Sequence, residues 1–75
     1  MQRYANRGGG SNVVGYEIGA DWIEVKFEDG SIYRYDYQSA GASNIELMKQ
    51  LAGAGRGLNS FIGRVVKRAY SARLR

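Results

Sequence analysis

The chain contains no cysteine and no histidine. The first absence excludes disulfides and thiolate metal sites. The second removes the commonest metal ligand and the commonest general base near neutral pH. No apolar run approaches the length of a membrane span, and no signal peptide is visible. A membrane partner is therefore not expected, and the default location is the cytoplasm. Carboxylates exist at Glu24, Asp36 and Glu46, but no nucleophile or ligand set accompanies them. Neither catalysis nor a cofactor or metal is expected. A length of 75 residues means one domain. A domain this small buries only about 60% of its unfolded surface, which leaves monomer and weak dimer both open.

What is present is organised around Trp22 to Tyr37, WIEVKFEDGSIYRYDY. Ile23, Val25 and Phe27 alternate with Trp22, Glu24, Lys26 and Glu28, the period of a strand with one buried face. Asp29-Gly30 marks a turn. A two-residue loop would set Phe27 against Ile32 and place Arg34 and Asp36 among core residues. A three-residue loop, Glu28-Asp29-Gly30, gives Gly30 the left-handed position and pairs Val25 with Tyr33 and Ile23 with Tyr35. A one-residue slip flips every side chain, so the apolar pattern selects the three-residue loop. The core face is then Ile23, Val25, Phe27, Tyr33 and Tyr35. The outer face carries Trp22, Glu24, Lys26, Ile32, Arg34 and Asp36.

Met1 to Asn12 has a glycine run and little apolar content and reads as a flexible tail, with Arg3 and Arg7 as loose cations. The domain proper is expected over 13–75. Val13 to Ile18 forms a short first strand, and Gly19-Ala20-Asp21 turns it into the hairpin. Gln38 to Ala42 reads as a connector. Ser43 and Glu46 form a capping box. Ile45, Leu47, Met48, Leu51 and Ala52 form the apolar stripe of a first helix, ended by Gly53 and Gly55. Gly53 to Asn59, GAGRGLN, serves either as a tight turn or as an anion cradle closed by Arg56. Asn59 is read as the cap of a second helix with the stripe Phe61, Ile62, Val65, Val66, Ala69 and Tyr70. The expected class is α+β: a three-stranded antiparallel β-meander covered on one face by two α-helices, in the order β-β-β-α-α.

Net charge is +4, and its layout says more than its size. All seven acids lie between Glu17 and Glu46, where Lys26 and Arg34 are the only bases. From Leu47 onward, Lys49, Arg56, Arg64, Lys67, Arg68, Arg73 and Arg75 meet no acid. Such cations complement a helix C-terminus and can equally form a face for a polyanion. The expected function is a small non-catalytic binding module for RNA or another nucleic acid. Arg56 and the basic C-terminal helix (Arg64, Lys67, Arg68, Arg73 and Arg75) would contact phosphates, and Trp22 would offer a ring to a base. The acidic outer sheet face argues against the sheet as the platform. The alternative is a protein-interaction module that docks a protein partner on Trp22 and Ile32.

Several short motifs recur in a familiar order: Gly15-Tyr16-Glu17, then Ile23-x-Val25-x-Phe27, then Gly30-Ser31-Ile32-Tyr33-Arg34-Tyr35, then Gly55 and Asn59-x-x-Ile62, ending near Tyr70. In this the chain resembles the KTSC domain. That family takes its name from the C-terminus of certain lysyl-tRNA synthetases and also occurs as free-standing small bacterial and phage proteins. Its central Tyr-x-Tyr matches Tyr33-Arg34-Tyr35. The resemblance spans about Val13 to Tyr70 and implies an RNA-binding role. Family members often carry a valine-proline pair after the tyrosines. This chain has no proline, so the connector at Asp36 to Ala42 is expected to take another path. The register turns Tyr33 and Tyr35 inward, which leaves Trp22 and Tyr37 as the better stacking candidates.

Overall fold

Alternation in three consecutive stretches builds the centre of an antiparallel sheet. In the computed structural model, which describes residues 1–75, these are β2 (Val13–Ile18), β3 (Trp22–Phe27) and β4 (Ile32–Asp36). Two short strands extend them: β1 (Gln2–Arg3) beside β2 and β5 (Ala72–Arg73) beside β4. Helices α1 (Tyr37–Ala40), α2 (Ala42–Ala54) and α3 (Leu58–Phe61) follow β4, and α3 runs into a π-helical turn at Ile62–Val66. The class is α+β with an antiparallel sheet. The sheet has five strands where three were expected, and a third, short helix precedes the other two.

The hairpin forms in the expected register. Phe27 N–H donates to the Ser31 carbonyl at 2.9 Å and Gly30 N–H to the Phe27 carbonyl at 2.9 Å, so Glu28, Asp29 and Gly30 make the loop. Gly30 has φ +90°, a conformation that a Cβ disfavours. The Asp29 carboxylate accepts the Ser31 N–H at 2.9 Å and its hydroxyl at 2.7 Å. Ile23 lies opposite Tyr35, Glu24 opposite Arg34, and Val25 opposite Tyr33. Ile23, Val25 and Tyr35 are buried, while Phe27 and Tyr33 close the core at its margin.

The N-terminal tail departs from expectation. Tyr4 is only 4% exposed and joins the core. Its N–H donates to the Val14 carbonyl at 3.0 Å, and its hydroxyl accepts the Leu58 N–H at 3.3 Å. Arg7 then binds the end of α2, through its N–H to the Gly55 carbonyl and its Nε to the Ala54 carbonyl at 3.1 Å. Gly55 is required twice over. It takes φ +74°, and a Cβ there would sit 2.5 Å from the Ala5 Cβ.

From the helices, Ile45, Met48, Ala52, Leu58, Phe61, Ile62 and Val66 cover one sheet face. Leu47 and Val65, expected in that stripe, are 39% and 48% exposed. Each lies about 100° around the helix from its buried neighbour, off the covering face. The expected capping box at Ser43 and Glu46 is absent. Gly41 precedes α2 without a side-chain cap. The box sits one helix earlier: Asp36 accepts the Ser39 N–H at 2.8 Å, and the Ser39 hydroxyl takes the Asp36 N–H at 3.0 Å. The connector is therefore helical through Ala40.

The last helix is also shorter than expected. It starts after Gly57 rather than at an Asn59 cap, and helical backbone ends at Val66. Lys67 takes φ +49°. The chain then returns to the sheet, with Ser71 N–H on the Arg34 carbonyl and Leu74 N–H on the Ile32 carbonyl, both at 2.7 Å. A helix continuing to Tyr70 would have left the β4 edge unpaired. Tyr70 leaves the helical stripe and packs against Tyr33 at a tilt, with ring centroids 4.6 Å apart and planes at 59°, and meets Tyr35 edge-on at 6.2 Å.

Candidate nucleic-acid interface

Strand register sorts the uncovered sheet face into rows that cross the strands. In the first row, Arg3 lies opposite Gly15, Gly15 opposite Lys26, and Lys26 opposite Ile32. In the second, Glu17 lies opposite Glu24, Glu24 opposite Arg34, and Arg34 opposite Ala72. At the far end, Trp22 faces Asp36. The outer face is therefore not uniformly acidic. It is banded, with cations at the end nearest the Gly30 turn.

A shallow cleft of about 380 Å³ lies over the first row, and Arg3, Gly15, Lys26, Ile32 and Arg75 line it. A second cleft of about 330 Å³ adjoins it around the turn, lined by Lys26, Asp29, Ser31, Arg73 and Arg75. None of Arg3, Lys26, Arg73 and Arg75 has a side-chain carboxylate within ion-pair distance, although the Arg73 Nε donates to the Arg75 main-chain oxygen at 3.1 Å. The second row is neutralised internally. The Arg34 Nε donates to Glu24 at 2.9 Å, and the N-terminal amine lies 3.5 Å from Glu17. Those two contacts offset the repulsion of Glu17 and Glu24, which stand directly opposite each other.

The six expected phosphate contacts do not converge. Arg73 and Arg75 reach the sheet end. Arg56 lies in the α2–α3 loop, beside a polar pocket of about 190 Å³ shared with Asn6, Ser11, Asn59 and Ser60. Arg64 is on the π-helical turn, with its Nε 3.5 Å from the Ser60 carbonyl. Lys67 and Arg68 follow in the turn beyond it. Of the five cations assigned to a basic C-terminal helix, Arg64 alone has helical backbone, and Arg73 sits on a strand. The sheet end also recruits Arg3 and Lys26. Lys26 carried one signal in the sequence, its outward phase next to the Asp29-Gly30 turn.

The aromatic candidates are engaged within the chain. Trp22 is half-buried. Its indole lies against Gly19, where a Cβ would fall 2.0 Å from the ring, and the Arg34 guanidinium stands 4.7 Å from the ring centroid. Trp22 and Ile32 are four register positions apart, about 13 Å along the strands, with the Glu24–Arg34 pair between them. The Tyr37 hydroxyl donates to Glu46 at 2.6 Å, which raises its pKa. Glu46 also accepts from Lys49 at 2.8 Å, and the two bonds hold its carboxyl below the usual range. Burial pushes the Tyr35 hydroxyl up to about 12, with Tyr33 and Tyr70 adding to the shift. Asp29 is held low chiefly by the Ser31 hydroxyl, and Asp36 by the Ser39 N–H.

No three His, Cys, Asp or Glu side chains come together as a metal-binding group, and no helix is long and apolar enough to cross a membrane. No protein-family model matches the chain, and no curated protein or solved structure matches it.

Proposed function

We propose that the protein is a small, non-catalytic, cytoplasmic module that binds RNA through its phosphates. One observation carries this reading. Of the eleven Lys and Arg side chains, Arg34 and Lys49 alone have a side-chain carboxylate in ion-pair reach. The other cations lie on the surface, exposed except for the half-buried Lys26. Cations of that kind release condensed counterions when they meet phosphates, and the contacts carry no base identity. The motif order shared with the KTSC domain supports the same reading, and kinship with that family is part of the proposal. Docking of a protein on Trp22 and Ile32 has less support, because the Glu24–Arg34 pair separates the two residues.

A salt titration tests the proposal. Binding to a mixed pool of single-stranded and structured RNA is expected to weaken steeply between about 50 and 200 mM salt. Tight binding that does not change over that range would overturn it.

A further inference from the structure

Resting on that reading, we infer that the RNA lies on the basic row at the end of the outer sheet face. It is held as a single strand running across the β-strands rather than along them. Arg3 is on β1 and Lys26 on β3, with Gly15 of β2 between them. Adjacent strands are about 4.8 Å apart, so these two cations stand about 10 Å apart at the backbone. Arg75 lines the same cleft beyond Ile32. Register puts Leu74 opposite Ile32, so the row reads cation, glycine, cation, isoleucine, leucine, and Arg75 reaches its end from the next residue along the chain. Gly15 makes room for the Met1 side chain, which lines the cleft between the two cations: a Cβ there would lie 3.1 Å from the Gln2 carbonyl and 3.2 Å from the Met1 Sδ.

The direction follows from the neighbouring row. A phosphate chain running along the β-strands would pass from Lys26 onto a row whose cations are already paired, Arg34 with Glu24 and the N-terminal amine with Glu17. A chain running across them meets cations only. Beyond the Gly30 turn Asp29 sets the other limit, with its carboxylate kept charged by Ser31. A duplex presents two backbones, and this face offers one row of cations free of side-chain carboxylates. No ring on this sheet face is available to stack a base, since the Trp22 indole is about 13 Å from the row and covered by Arg34. Binding therefore reads phosphate and has little sequence preference.

Fluorescence anisotropy with a labelled oligouridylate tests the assignment. Three phosphate contacts on a single strand predict a slope of log affinity on log salt near −2, from about −0.7 per contact. Lys26→Gln and Arg3→Gln should each flatten the slope by about 0.7 and weaken binding roughly five- to tenfold at low salt. Ile32→Lys adds a cation to the row and should tighten binding and steepen the slope by a similar amount. The triple variant R64Q/K67Q/R68Q should keep the parent's salt slope, because none of the three lines either cleft of the row. Circular dichroism confirms that each variant is folded.

If the triple variant loses binding while the sheet-end variants keep it, this placement is overturned and the RNA reading survives. A preference for an RNA hairpin over the oligouridylate overturns the single strand. If the parent binds neither RNA at low salt, the functional reading itself fails.

Discussion

The β3–β4 hairpin and the segment from Leu58 to Arg75 both look amphipathic, yet only the hairpin keeps the conformation its pattern announces. In the hairpin each inward residue has an inward partner across the ladder, Ile23 with Tyr35 and Val25 with Tyr33. Its turn is fixed by residues within the turn, through Gly30 and the Asp29–Ser31 bonds. The C-terminal segment has an apolar period that runs on to Tyr70, but its helical backbone stops at Val66. What ends it lies outside the segment. The free edge of β4 takes up Ser71, Ala72 and Leu74 through backbone bonds. An element closed by its own turn can be derived locally, whereas one ended by a distant open edge cannot.

The largest test of this contrast sets Ile23 against Val65. Ile23 is fully buried in the hairpin, and Val65, on the π-helical turn, is 48% exposed. Ile23→Ala should lower stability by about 2–5 kcal/mol, and Val65→Ala by no more than about 0.5 kcal/mol, both read by urea denaturation. Equal losses would mean that the C-terminal segment is as firmly packed as the hairpin.

The next test uses the aromatic cluster that joins the two regions. In the folded chain the Tyr35 hydroxyl titrates at about 12, raised from 10.0 mainly by burial. The folded state therefore keeps a proton that the unfolded state releases. That contribution is fully present below pH 10 and is lost as pH rises towards 12. Tyr35→Phe should flatten the alkaline limb of a stability–pH profile. An unchanged limb would show that Tyr35 is not its source.

Sequence and structure agree where the deciding residues are neighbours. The register came from Asp29, Gly30 and the alternation beside them, and Gly55 ends α2 because its left-handed backbone needs glycine. They part where the deciding residues are distant. Two-residue strands such as β1 and β5 are too short to show a period. Tyr4 is a single aromatic in a polar stretch, and nothing near it signals that its hydroxyl meets the Leu58 N–H. The candidate site divides in the same way. Arg73 and Arg75 are readable in the sequence as cations of a segment without acids. Their neighbours are not, because only the pairing of β1, β2 and β3 aligns Arg3 with Lys26. Lys26 lies in an acidic stretch of the sequence, while the sheet sets it in a different row from Glu17 and Glu24.

Two backbone positions sharpen the contrast at smaller scale. Gly30 and Lys67 both have positive φ, +90° and +49°. Gly30→Val forces a β-branched residue into that conformation and should cost about 1–3 kcal/mol. A melting curve unchanged by the substitution would count against the three-residue loop.

Lys67→Gly should act in the opposite sense and be the smallest effect. Lys67 ends the π-helical turn, with its N–H on the Ile62 carbonyl at 2.6 Å, and takes ψ −113°. A side chain there is strained by about 1 kcal/mol or more. Glycine removes that strain but adds about 0.5–1 kcal/mol of unfolded-state entropy. The net change should lie between neutral and about 1 kcal/mol stabilising, measured by the same denaturation. Destabilisation would mean that the Lys67 side chain holds the segment, so that the end of the helix is set locally after all and the hairpin and the C-terminal segment are specified alike.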